Sequence, residues 1–171
     1  MLVSDASVLI ALAKMQRLQL LEEVYRHVAI SPVVKAEVVD RGKAISAPGV
    51  EQIEKALADG WIKVLRLNAK ERQLKQRVLK TTRLDEGEGE SLALAHSREV
   101  LLIVDDREAR AMAAAMSLEF IGTAGVLLEA FLKHHLTLEE LEEAVEDLSN
   151  VIWLSPTVVV EILKRAREAR R

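Results

Sequence analysis

Two apolar runs in this chain break off in aspartate. Residues 1–3 (MLV) lead into Ser4-Asp5, and residues 100–104 (VLLIV) lead into Asp105-Asp106. Runs of this kind read as short buried strands, the second buried on both faces. In an open parallel sheet the ligand crevice lies beyond the carboxyl ends of the strands. If the two strands are neighbours at the sheet centre, their aspartates share that crevice. Other segments can add two more acids. Glu37 sits between Val34 and Val38 in PVVKAEVV, a semi-apolar setting unusual for a solvated carboxylate. Glu90, or its rival Glu88, stands at the start of an apolar helix, ESLALAH. A two-residue separation is about 200° around a helix, so at most one of these two glutamates faces the pocket.

Carboxylates gathered without compensation raise one another's pKa and cost stability. A divalent cation relieves that repulsion. Mg²⁺ takes oxygen ligands, typically one or two carboxylates, and keeps several waters; the same donors suit Mn²⁺. An ion held this way does phosphoryl chemistry, activating a water and stabilising charge on the phosphate and the leaving oxygen. The residues leave open whether one ion is held or two. Each acid also has a structural role that would explain it alone. Asp5 and the Asp105-Asp106 pair can cap helices. Glu37 can be an edge position on a surface helix, and Asp85 and Glu86 read as helix-start acids or solvated loop.

The segments carrying these acids alternate between strand and helix patterns. A helix is expected over 8–14, with Ser7 at or near its N-cap, and a second helical stretch over 16–25. A short strand (HVAI, 27–30) follows, then a helix over 33–41 opened by Ser31 as cap and Pro32 in the first turn. Residues 42–49 read as loop, 50–59 as an amphipathic helix closed by Gly60, and 61–67 as an alternating strand. A charged helix over 68–80 leads into a Gly-punctuated loop over 81–89 and the helix over 90–96. After the strand at 100–104 come an Ala-rich helix (108–116), a strand (118–121), and helices over 124–133, 138–148 and from 156 onward. This order predicts an α/β fold with a parallel sheet covered by helices on both faces, as one domain over residues 1–171.

Composition narrows the chemistry. Half of the 171 residues are hydrophobic but only 3% are aromatic, so the core is built from Leu, Val, Ile and Ala. Cysteine is absent, which excludes disulfides and thiolate metal sites. The histidines, His27, His96, His134 and His135, form no HExxH pattern. Gly87-Glu88-Gly89 hints at a phosphate loop, but Leu92 stands where a third glycine belongs and no strand directly precedes it, so a dinucleotide site is excluded. An Asp-x-Asp phosphatase signature is broken by Ser7. No apolar run approaches the ~20 residues of a membrane span, and the N-terminus lacks a basic leader, so a cytoplasmic protein is expected.

A net charge of −3 gives no global attraction to nucleic acid. Any RNA must be held by local cations on its backbone, for which Lys14, Arg17, Lys35, Arg107 and Arg110 are candidates; a solvated helix face explains each equally well. The basic tail over 164–171 suits a helix C-terminus or contact with RNA or a partner. Trp61 and Trp153 stand alone, and so few aromatics argue against stacking-driven single-strand binding.

Taken together, the chain resembles the PIN-domain nucleases, and within them the VapC-like prokaryotic branch. The matching stretches are SDASVLIALAK (4–14), PVVKAEVV (32–39), LDEGEGESLALA (84–95), LLIVDDREAR (101–110) and IGTAGVLLEA (121–130). They span residues 2–130, with the helices over 137–171 outside them. The resemblance implies a three-layer α/β/α sandwich with a central parallel sheet, and a Mg²⁺- or Mn²⁺-dependent endoribonuclease. On the family pattern the first acid falls on Asp5 and the second on Glu37. The third falls on Glu90, with Glu88 as the rival, and the fourth on Asp106 or Asp105. Ser7 and Thr123 match the supporting hydroxyls. Many relatives have Asp at the third position, where this chain has Glu. In many relatives the nuclease is a toxin blocked by a small antitoxin, and a homodimer is implied. The alternative, from a different class, is a PIN-fold module with weak or absent cleavage that acts by binding protein or nucleic acid.

Overall fold

The computed structural model describes residues 1–169; Arg170 and Arg171, the end of the basic tail, lie outside them. Five short strands, β1 (Leu2–Ser4), β2 (Val28–Ile30), β3 (Ile62–Val64), β4 (Leu102–Ile103) and β5 (Phe120–Ile121), form a single sheet in the order β3-β2-β1-β4-β5. All four pairings are parallel. Parallel neighbours need long crossovers, and helices supply them here. α1 (Ala6–Lys14) and α2 (Leu20–Tyr25) join β1 to β2. From β2 to β3 the chain runs through α3 (Pro32–Lys35), a π-helical turn (Ala36–Arg41), α4 (Gly42–Ala44) and α5 (Val50–Asp59). α6 (Ala69–Thr81) and α7 (Glu86–Arg98) lead to β4, and α8 (Arg107–Ala115) leads to β5. α9 (Thr123–Leu132), α10 (Leu138–Val151) and α11 (Pro156–Ala169) complete the described chain.

Strand side chains alternate between two faces, and here both faces are covered. Leu2, Val28, Ile30 and Ile103 enter a core with Leu9, Leu12, Leu127 and Leu148. Val3, Ala29, Leu102 and Val104 enter a second core with Leu92, Leu94 and Ala109. The result is the three-layer α/β/α sandwich expected of a PIN-like chain.

Several element ends differ from the sequence reading. α7 starts at Glu86, not Glu90, because Asp85 caps it; Gly87 and Gly89 are buried within its first turns and do not punctuate a loop. α1 starts at Ala6, capped by Asp5 rather than Ser7. The positive φ of Gln16 (56°) breaks the stretch expected to be helical from residue 16. The helix after β2 opens as expected, Ser31 accepting from Val34 N–H at 3.1 Å. It then widens into the π turn and ends at Ala44.

The strand order matters for function. β2 and β3 lie on one side of β1, and β4 and β5 on the other. The order of strand addition therefore reverses at β1, outward to β3 on one side and outward to β5 on the other. The crevice beyond the carboxyl ends of β1 and β4 is the topological switch point, where open α/β sheets bind ligands. No helix among the described residues is long and apolar enough to cross a membrane.

Candidate active site

Asp5 follows β1 directly. Its N–H donates to Ile103 O (3.2 Å), which ties it to the end of β4. Its carboxylate caps α1, accepting from Val8 N–H at 3.1 Å, and both oxygens accept from the Ser7 hydroxyl, at 3.0 and 2.9 Å. Ser7 is thus a first-turn residue that steadies the cap. Asp5 is only 2% exposed. Burial pushes its carboxyl up to about 7; the bonds from Val8 and Ser7 oppose that rise, and the charges of Asp105 and Glu88 add to it.

The two aspartates after β4 have different roles. Asp105 accepts from both the N–H (2.8 Å) and the hydroxyl of Thr123, the first residue of α9. The contact needs Gly122, since a Cβ there would stand 2.6 Å from Asp105 Oδ1. Asp106 is exposed and caps α8, accepting from Ala109 N–H at 2.8 Å. The charge of Asp105 acts on Asp5, whereas that of Asp106 acts on Glu88.

Glu37 lies in the π turn, a helix variant frequent at functional sites. Burial raises its pKa, the charge of Asp85 adds to the rise, and Arg41 opposes it. Of the two candidate glutamates, Glu88 and Glu90, the structure brings Glu88 to this group. Burial raises its pKa; the backbone N–H of Asp85 opposes that, and the charges of Asp85, Asp106 and Glu37 reinforce it. Glu90, expected in this role, lies on another face of α7. Its carboxylate is 3.6 Å from Lys75 Nζ on α6, and its Oε2 is buried without a hydrogen-bond partner. The turn between the two positions on a helix, about 200°, makes their separation unavoidable.

A narrow cleft of about 50 Å³ is lined by Asp5, Ala6, Ser7, Glu37, Asp85, Gly87 and Glu88. A wider depression of about 800 Å³ at the α9–α10 turn has no comparable set of carboxylates. Asp85, read from sequence as a helix-start or loop acid, does cap α7 but also lines the cleft. The signal that could have placed it was the D-x-x-E spacing of Asp85 and Glu88, a capping-box pattern.

The expected cations divide by position. Lys14 ends α1, roughly 13 Å along the helix from Asp5 at 1.5 Å per residue. Arg17, just beyond, pairs with Asp147 on α10 at 3.4 Å. Neither is near the cleft. Lys35 is exposed at the end of α3, and Arg107 is the exposed first residue of α8, beside Asp106. Arg110 sits 5.4 Å from the Phe120 ring centroid, and its Nη1 is 3.8 Å from where a Cβ on Gly122 would stand. Arg41, whose charge acts on Glu37, is not among the cations that the sequence singles out.

Among the described residues, no three His, Asp or Glu side chains are arranged to close around an ion by themselves. The cleft is an open set of carboxylates from Asp5, Glu37, Asp85 and Glu88; Asp105 and Asp106, expected as the fourth acid, do not line it, and act on it only through their charges on Asp5 and Glu88. A family model described as a PIN domain matches residues 1–168. No curated protein matches the chain.

Proposed function

Because the chain belongs to the PIN-domain family, a family of nuclease-type fold, we propose that it is a divalent-cation-dependent endoribonuclease. The observation that carries this reading is Asp5. A carboxylate 2% exposed at the topological switch point, facing the charges of Asp105 and Glu88, is costly unless something positive joins it. The donors fit Mg²⁺ or Mn²⁺, since all are hard carboxylate oxygens and Mg²⁺ keeps several waters in an open set. Asp5, Glu37, Glu88 and the Asp105-Asp106 turn would hold the ion. When bound, the ion supplies a positive charge beside the scissile phosphate and an activated water.

The protein's own part is orientation. Ser7 and Val8 fix the Asp5 carboxylate, Thr123 fixes Asp105, and the capping box of α7 fixes Glu88. Lys35, Arg41, Arg107 and Arg110 would meet the RNA backbone beside the cleft. Resemblance to the VapC-like branch supports a toxin role, with a small antitoxin as partner, a homodimer as the working form and the cytoplasm as its location.

The test is RNA cleavage by wild type and Asp5→Asn, with Mn²⁺ and with EDTA. Cleavage should require the metal and be lost in the variant. Cleavage that survives both treatments contradicts the site. Failure to cut any RNA, together with tight binding to a neighbour-encoded peptide, would favour the binding-module reading instead.

A further inference from the structure

We propose that Asp85 is a further cation-holding residue of this cleft, acting with Glu37 beside Gly87; this rests on the metal-dependent reading above. Helix capping occupies only one oxygen of the exposed Asp85. Its Oδ1 accepts from Glu88 N–H at 2.9 Å, a bond that Asn or Ser would make as well. What aspartate adds is a charge, placed where Glu37 and Glu88 are already negative. Its Oδ2 accepts no hydrogen bond among the described residues.

Gly87 supplies the second observation. A Cβ there would stand 3.4 Å from Asp85 Oδ1 and 3.5 Å from Glu37 Oε2. Two carboxylate oxygens from different elements, the capping Oδ1 of Asp85 and Oε2 of Glu37, thus border the space that a side chain would fill, with Val34 Cγ2 as its apolar wall at 3.5 Å. Those contacts are ordinary, so alanine would fit, and glycine weakens a helix relative to alanine. The chain keeps a less stable residue and an extra negative charge at the same spot. A cation between Asp85 and Glu37 accounts for both.

The experiment compares Asp85→Asn, Asp85→Ser, Gly87→Ala and Asp5→Asn with wild type. Each is melted in EDTA, then titrated with Mn²⁺ by calorimetry. Asn and Ser preserve the cap, so both Asp85 variants should melt close to wild type in EDTA but bind Mn²⁺ about tenfold or more weakly. Gly87→Ala should melt at or above wild type and also bind Mn²⁺ more weakly. If only Asp5→Asn weakens Mn²⁺ binding, Asp85 is a cap and nothing more; the proposal falls while the metal site stands. If Asp5→Asn also binds Mn²⁺ like wild type, the metal site itself is wrong and the proposal falls with it.

Discussion

At the scale of the residue, Asp5 combines two demands that conflict. It caps α1, and it buries a charge among other charges. An unfolded Asp titrates near 3.9, whereas burial holds the folded Asp5 near 7. Between those values the folded protein binds a proton that the unfolded chain has released. Stability therefore falls as pH rises through this window, and the loss is complete above about pH 7. Asp5→Asn keeps the cap and escapes the loss. Each pH unit is worth about 1.4 kcal/mol, and about 1 kcal/mol moves the melting temperature of a chain this size by ~2–4 °C. In EDTA the variant should melt several degrees above wild type at pH 8, with the gap closing below pH 4. Identical melting curves at both pH values would mean that Asp5 is not buried as a charge. Gly122 makes a second, steric prediction. Gly122→Ala drives a methyl into the Asp105 carboxylate, and overpacking of this kind costs ~1–3 kcal/mol. Lower melting and weaker cleavage should appear together. The places of Asp5 and the Asp105-Asp106 pair, just past two strand ends, were legible in the sequence because an apolar run ending in Asp marks a strand's close; of the three, only Asp5 lines the cleft. The division of labour within the pair was not legible, because it depends on Thr123 arriving from another segment.

At the scale of the element, the start of α7 decides which glutamate serves the cleft. In the sequence the glycines at 87 and 89 resemble punctuation, so 81–89 reads as loop. In the fold both lie within α7, and Gly89 permits close approach to α6. A Cβ on Gly89 would stand 2.8 Å from Leu79 Cδ2 on α6. With the helix starting at Glu86, Glu88 faces the cleft and Glu90 faces Lys75. Glu88→Gln should lower turnover by at least about tenfold, while Glu90→Gln should keep turnover within a few-fold of wild type. The reverse ranking in steady-state cleavage would mean that the cleft takes its third acid from the other face of α7. The π turn bearing Glu37 had no sequence signal: its apolar spacing fits an α-helix equally well, and only packing distinguishes the two.

At the scale of the molecule, the alternation of strands and helices was enough to read a parallel three-layer sandwich. The order of the strands was not, because adjacency of β1 and β4 is a long-range choice that no local pattern records. That adjacency joins the two aspartate-bearing turns, and it entered the sequence reading only as a condition. The same scale governs substrate contact. With a net charge of −3, the proposed RNA contact rests on a few local cations. Affinity should fall with salt, and Lys35→Ala or Arg107→Ala should each reduce the salt slope by about one. Lys14→Ala, far along α1, should leave that slope unchanged. A slope altered equally by all three would place the RNA across a broader surface.

The central claim is that carboxylates from separate segments meet around a divalent cation. Crystals soaked in MnCl₂ and measured at the manganese absorption edge test it most directly. The account predicts an anomalous peak in the cleft, at ligand distance from Asp5 and at least one of Glu37, Glu88 and Asp105. Full occupancy of manganese elsewhere with none beside Asp5, or a cleft whose acids point apart, would contradict it.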